Sequence, residues 1–194
     1  MLSTRQNINK RMIRCSFENG FTAIELAVTL AVLALLAGLA TPSFSSLNDK
    51  WRVRRVQEDL QSTFQFARSE AVKRAGHVTV QKISNNTNGC TTAKSKQDWD
   101  CGWIVCADSD NSGSCGATEI VLQRVDAPGK VQVTRTGGGI SIKFDQWGLV
   151  DGVWPGFSLV PLNRPTTHPA ALGLCMSSGG RIRIIPPEAI PCRD

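Results

Sequence analysis

The chain is organised around residues 20–47, which read GFTAIELAVTLAVLALLAGLATPSFSSL. Residues 21–40 contain one charged side chain, Glu25, and an apolar run of about 20 residues is long enough to cross a bilayer as a helix. The preceding residues 1–20 are polar and carry an excess of basic side chains. Because basic residues before a first apolar span stay in the cytoplasm, the sequence predicts that the chain after Thr41 is exported.

Glu25 distinguishes this span from an ordinary secretion signal. A carboxylate within an apolar span costs about 2.5–3.5 kcal/mol at the bilayer centre and less near its surface, so such a group is usually retained for a partner. Two plainer interpretations compete with this one. A cleaved signal peptide would have a shorter apolar core and a small-x-small cleavage site, and a simple signal-anchor would have no need of Glu25.

The motif GFTAIEL at residues 20–26 resembles the class III signal of type IV pilins and of the pseudopilins of type II secretion. The resemblance implies that a prepilin peptidase removes residues 1–20 as a leader by cutting after Gly20, and methylates the new amino group of Phe21. It also implies that Glu25 pairs with the N-terminal amine of a neighbouring subunit, which would offset the cost of two unpaired charges in an apolar bundle. The implied location is the inner membrane, single-pass with a periplasmic C-terminal domain, and then an extracellular or periplasmic filament.

The apolar run continues into an amphipathic helix. Apolar residues recur at three- and four-residue spacing at Phe44, Leu47, Trp51, Val53, Val56, Leu60, Phe64, Ala67 and Ala71. After Gly76 the period falls to about two, which predicts strands at residues 78–83, 102–106, 120–124, 131–133, 140–144, 157–160, 171–176 and 181–185.

These periods predict an α+β fold. A long N-terminal helix over residues 21–75, with a transmembrane half at 21–41 and an amphipathic half, packs on an antiparallel β-sheet domain at 76–194. That arrangement is pilin-like. One sheet or two small ones would both fit the strand pattern.

Two further motifs resemble those of FimT/FimU-type minor pilins and of the related GspH-type minor pseudopilins. They are ARSEA at residues 67–71, and Trp99 followed by GWIV at residues 102–105. The resemblance implies a structural subunit whose partners are other major and minor pilins, and it leaves open a type IV pilus or a secretion pseudopilus. The residues alone would predict only a helix surface with a Glu70–Arg74 pair.

Six cysteines follow the predicted leader: Cys90, Cys101, Cys106, Cys115, Cys175 and Cys192. An even number of cysteines in an exported domain predicts disulfide bonds, although the spacing does not choose among the many pairings. A zinc site is the competing interpretation, but there is no CxxC pair and no histidine at ligand spacing.

The segment Asp108-x-Asp110-x-Ser112-Gly113-x5-Glu119 fits the template of a calcium-binding loop. Its flanks read as strands rather than helices, and the same residue types form ordinary hairpin turns. A weak calcium site and a plain hairpin both remain open.

The sequence Gly180-Arg181-Ile182-Arg183 predicts two arginines on one strand face, with Ile182 and Ile184 toward the core. Two adjacent guanidiniums suit phosphate oxygens. The order resembles the C-terminal motif by which FimT-type minor pilins bind DNA in natural transformation, which implies double-stranded DNA as a partner. The alternative is a solvated strand face, and the modest net charge of the chain counts against DNA binding.

Nothing in the sequence predicts an enzyme or a cofactor. The two histidines, His77 and His168, lack partner motifs, and no G-x-S-x-G, P-loop or H-E-x-x-H pattern occurs. The five tryptophans are interpreted as core and loop anchors rather than base-stacking platforms.

Overall fold

The computed structural model describes residues 20–177 and 179–192, with the backbone alone for residues 39–43. The predicted leader up to residue 19 lies outside the described residues. The chain divides into two units between Pro42 and Ser43.

One helix, α1 (Ala23–Lys73), occupies most of the first third of the chain. Its apolar side chains before residue 37 are exposed, with 73% of Ile24 and 70% of Leu35 accessible. Among the described residues, no helix combines the length and the apolarity needed to cross a membrane.

Nine strands follow α1 in the described part of the chain, and all of them pair antiparallel in two sheets. The five-stranded sheet has the order β3-β2-β1-β5-β6 and the four-stranded sheet the order β4-β7-β8-β9. The strands are β1 (Val78–Lys82), β2 (Gly102–Ala107), β3 (Ile120–Asp126), β4 (Val131–Thr136), β5 (Ser141–Phe144), β6 (Val150–Asp151), β7 (Gly156–Pro161), β8 (Leu172–Met176) and β9 (Ile182–Ile185). A short 3-10 turn, Pro187–Ala189, follows β9.

The larger of two apolar clusters in the described residues joins the second half of α1 to both sheets, and a smaller one lies at Ile83, Ala93 and Cys101. Phe64 lies 5.7 Å from Phe157 and 6.5 Å from Phe144, measured between ring centroids, and so contacts a strand of each sheet. The buried Trp103 also donates a 3.0 Å hydrogen bond from Nε1 to Thr63 Oγ1, which satisfies a polar group inside the interface. The predicted fold class, α+β with a helix on antiparallel sheet, is confirmed.

The apolar stripe on α1 is covered later than the sequence predicts. Burial begins at Val53, whereas Phe44, Leu47 and Trp51 are 62%, 49% and 63% exposed. Helical periodicity identifies side chains that share a face, but it does not say where the sheet beneath that face ends. These three side chains therefore remain available to another surface.

Candidate functional site

The first candidate site residue, Glu25, closes the N-terminus of α1. Its Oε2 accepts hydrogen bonds from Thr22 N at 3.2 Å and Thr22 Oγ1 at 3.0 Å, while Glu25 N donates to Thr22 Oγ1 at 3.3 Å. This reciprocal pairing is a capping box, in which the side chains three residues apart satisfy each other's free backbone donors. The Thr-x-x-Glu spacing was visible in the sequence and gives Glu25 a local role beside the predicted pairing. Gly20 and Phe21 precede the helix and are exposed.

The second candidate site is an open cleft at the end of the four-stranded sheet, with a volume of about 570 Å³. Arg181 and Arg183 line one side, and Trp154 lies on the segment that leads into β7. Arg183 pairs with Cys175 across the β8–β9 register. The structure therefore brings both sequence-predicted arginines to one cavity.

The arginine side of the cleft is cationic and solvent-facing. Arg181 and Arg183 are both exposed, and within residues 20–177 and 179–192 neither guanidinium has an ion pair or a hydrogen bond. The described lining residues of the cleft include no carboxylate. Two guanidiniums without a protein partner can each offer paired N–H donors to an anion.

One detail of the predicted strand is wrong. Ile182 packs against the core, but Ile184 on the same face is 37% exposed, while Ile185, which lies on the face of Arg183, is buried. Ile184 is exposed because β9 is an edge strand, so only part of its core-facing side is covered, whereas Ile185 lies over Gly173 beside Ile190 on the other face.

Arg68, within the ARSEA motif, holds the turn that carries the cleft arginines. Its Nη1 donates to Gly180 O at 2.8 Å and its Nε to Gly148 O at 2.9 Å, so one helix residue binds the turns before β9 and before β6. Glu70 in the same motif pairs with Lys73 and Arg74, and their hydrogen bonds lower the pKa of Glu70. The motif thus contributes a long-range connection that helical periodicity alone does not reveal.

Replacing Gly180 with Ala should lower the free energy of unfolding by about 1–2 kcal/mol, because Gly180 has a left-handed φ of +74°. A Cβ there would also lie 2.7 Å from Arg68 Cζ and push against the guanidinium that binds this turn. Urea unfolding of Gly180→Ala beside Gly179→Ala checks this expectation. A Cβ on Gly179 would meet no atom within 4 Å, so equal losses in the two variants would contradict it.

Arg135 supports the opposite wall of the cleft. This buried side chain donates from Nη1 to Gly139 O at 2.8 Å and to Ser141 O at 2.6 Å, and its Cζ lies 5.9 Å from the Trp99 ring centroid. Burial lowers the pKa of Arg135 to about 10. The turn that Arg135 binds follows Thr136, a residue of the cleft wall. Neither Arg68 nor Arg135 was a sequence candidate, because their partners are backbone carbonyls set by the fold.

The six cysteines form three disulfide bonds, Cys90–Cys101, Cys106–Cys115 and Cys175–Cys192. The last of these borders the cleft and joins the C-terminal tail to β8. A Cβ on Gly156 would lie 2.9 Å from Cys192 Sγ, so the tail packs directly against the backbone of β7.

The calcium-like loop forms the β2–β3 hairpin. One carboxylate oxygen from each of Asp108, Asp110 and Glu119 lies within 4.8 Å of the others, an arrangement that could hold a cation. The carboxylates already have donors within the protein. Asp108 Oδ2, which is buried, accepts from Thr79 Oγ1 at 2.9 Å and from Gly113 N at 2.8 Å.

The other two carboxylates of this loop are also bonded locally. Ser112 N donates to Asp110 Oδ1 at 3.0 Å, and hydrogen bonds from Ser112 lower the pKa of Asp110. Glu119 accepts from Ser109 N and Gly116 N, each at 2.9 Å. Hairpin hydrogen bonding accounts for these positions without an ion, which agrees with the strands on either side.

Comparisons with known proteins agree with this architecture. A family model described as type II transport protein GspH matches residues 57–180. No curated protein sequence matches the chain. This chain is similar to two crystal structures of the Pseudomonas aeruginosa type IV minor pilin FimU, in space groups P65 and P21. The TM-scores are 0.51 and 0.53, and the sequence identity is 20% in each case. The similarity covers 70% of this chain and 94% and 90% of those chains, and at this identity it shows a shared fold.

Proposed function

We propose, because this chain belongs to the GspH family of type II transport proteins, that it is a minor pilin, a structural subunit of a type IV filament. The family match over residues 57–180 carries this proposal. Members of such a family act by assembly with other pilins rather than by catalysis, so the proposed partners are major and minor pilins.

The exposed side chains in the first half of α1 support the proposal that the chain assembles with other subunits. Large apolar side chains are exposed along it, including Ile24 at 73%, Leu33 at 60% and Leu35 at 70%. Leaving such a side chain in water rather than burying it costs about 1.5–3 kcal/mol. The segment therefore requires an apolar environment, which a bundle of neighbouring subunits would supply.

Residues 20–41 are the basis for a proposal on how the subunit is processed and held in the membrane before assembly. A prepilin peptidase would cut after Gly20 and methylate Phe21, and the apolar run of residues 21–41 would hold the subunit in the inner membrane with its C-terminal domain in the periplasm. This step rests on the sequence motif and on the length of the apolar run.

Deletion of the gene tests the filament role. We expect fewer surface filaments, with protein secretion unchanged, and an epitope inserted at residues 94–96 should be detected in filaments sheared from the cells. The alternative is a minor pseudopilin of a type II secretion system. Loss of secretion with normal surface filaments would identify that role. Absence of the epitope from both the surface filaments and the secretion pseudopilus would contradict the two roles together.

We also propose that the cleft beside Arg181 and Arg183 binds the phosphate backbone of DNA. The supporting observation is that both arginines are exposed, have no ion pair or side-chain hydrogen bond among the described residues, and border a cleft whose described lining includes no carboxylate. Binding of this kind is electrostatic and does not require a particular base sequence.

A double variant tests DNA binding in cells. Cells with Arg181→Gln and Arg183→Gln should assemble filaments normally and bind at least tenfold less labelled duplex DNA, because each contact to a phosphate is charge-assisted. The matched control is Lys94→Gln with Lys96→Gln, which removes two exposed charges from the β1–β2 loop. Equal DNA binding by wild type and both double variants would refute this role.

A further inference from the structure

Trp154 is an exposed aromatic side chain beside the two cleft arginines. It is 44% exposed, although a tryptophan used as a core anchor would be covered, as Trp99 and Trp103 are at 0%. The adjacent Val153 is 65% exposed and lines the same cleft. The sequence-based interpretation of the five tryptophans as anchors therefore fits Trp99 and Trp103, whereas Trp154, like Trp51 and Trp147, is exposed.

The walls of the cleft differ in chemistry. Trp154 supplies an aromatic surface, and the Cys175–Cys192 disulfide supplies an apolar one. Arg181 and Arg183 supply the positive charge. The volume of about 570 Å³ falls within the roughly 300–1,000 Å³ typical of sites for small organic groups.

The geometry points to a nucleobase as the group that enters this cleft, with its own phosphates on the arginines. We infer that Trp154 stacks on one unpaired base, so that the chain binds single-stranded DNA, or an unpaired end, more tightly than the interior of a duplex. This inference rests on the proposed DNA binding and adds to it the form of DNA that is preferred.

Each simpler ligand would leave part of the cleft unused. A bare phosphate backbone needs the arginines but makes no use of an aromatic wall. An apolar peptide side chain would fit the wall but would leave two guanidiniums without partners. A nucleotide joins a flat aromatic base to an anionic phosphate, and stacking of bases on aromatic side chains is a general mode of single-strand binding. In the interior of a duplex both faces of each base are already stacked on its neighbours, whereas an unpaired base can present a free face to Trp154.

Binding of the purified full chain, in a non-ionic detergent, to three fluorescent DNAs tests the inference by anisotropy. The probes are an oligothymidine, an abasic strand of equal length and charge, and a blunt duplex. We expect the oligothymidine to bind about tenfold more tightly than the abasic strand, as one stacked base would give. Trp154→Ala should remove that difference and Trp154→Phe should keep most of it.

Trp147→Ala is the matched control, because Trp147 is 71% exposed and does not line the cleft. It should behave as wild type, and an equal loss in Trp147→Ala would overturn the inference. Equal binding of oligothymidine and abasic strand by wild type would also overturn it while leaving the phosphate-binding proposal intact. Absence of binding to all three DNAs would overturn both proposals.

Discussion

Replacement of Glu25 with Gln should prevent the chain from entering filaments while leaving cleavage after Gly20 intact. Gln keeps the size of the side chain and can still accept hydrogen bonds from Thr22 at the helix N-terminus. It removes the negative charge that would pair with the N-terminal amine of a neighbouring subunit. Leaving one partner of a buried ion pair unmatched costs about 3–5 kcal/mol, so filament-associated protein should fall by more than about 100-fold.

Thr22→Ala separates this role from the capping role seen in the structure. That variant removes the Thr22 hydroxyl from the capping box and keeps the Glu25 charge, at a cost to the helix of about 1 kcal/mol. Immunoblots of cell and sheared-filament fractions measure processing and incorporation together. Normal incorporation of Glu25→Gln would contradict the charge pairing, and a loss in Thr22→Ala as large as that in Glu25→Gln would show that the capping box is itself required for incorporation.

Removal of the Cys175–Cys192 disulfide should both destabilise the domain and weaken DNA binding. The bond closes a loop with a sequence separation of 17, for which the loss of chain entropy on cross-linking corresponds to about 3 kcal/mol. Without it the tail that packs on Gly156 can leave the cleft, and the cleft loses part of its apolar surface. Urea unfolding and DNA anisotropy of Cys175→Ser with Cys192→Ser measure the two effects.

The Cys106–Cys115 bond provides the control, because it closes the β2–β3 hairpin and does not border the cleft. Its sequence separation is 9, which predicts a loss of about 2.5 kcal/mol in Cys106→Ser with Cys115→Ser. DNA binding by that variant should equal wild type. If the two disulfide variants lost DNA binding equally, the tail would have no specific part in the cleft.

The strands were the most predictable part of the fold. All eight strands expected from the sequence are present. Burial alternates along β4, while β7 is buried throughout and was recognisable as a short apolar run between turn residues. The missed strand, β6, has two residues that pair with Lys143 and Phe144, too few to show any period. The division into two sheets could not be predicted, since strand order is set by contacts between distant segments.

Periodicity also predicted the buried side of α1, where Val53, Leu60 and Phe64 are fully covered. The sequence predicted disulfide bonds from the even number of cysteines and the exported context. Their pairing depended on register, as Cys106 and Cys115 show: they meet because β2 and β3 form a hairpin around the loop between them.

Only some residues of the candidate cleft could be identified from the sequence. Arg181 and Arg183 could be chosen from their spacing, because alternate residues of a strand share a face. Arg68 could not, since its partner Gly180 O is 112 residues away, and Arg135 could not, since only the fold shows that its turn lies beside the cleft. Trp154 could not be told from an anchoring tryptophan until its exposure was known.

The salt dependence of duplex DNA binding by the full chain tests the central claim most directly. Each phosphate contact contributes about 0.9 to the slope of log affinity against log salt concentration. The account predicts affinity that falls steeply with salt, and a slope shallower by about 2 in Arg181→Gln with Arg183→Gln but unchanged in Lys94→Gln with Lys96→Gln. Identical affinity and slope in wild type and the arginine double variant would contradict it.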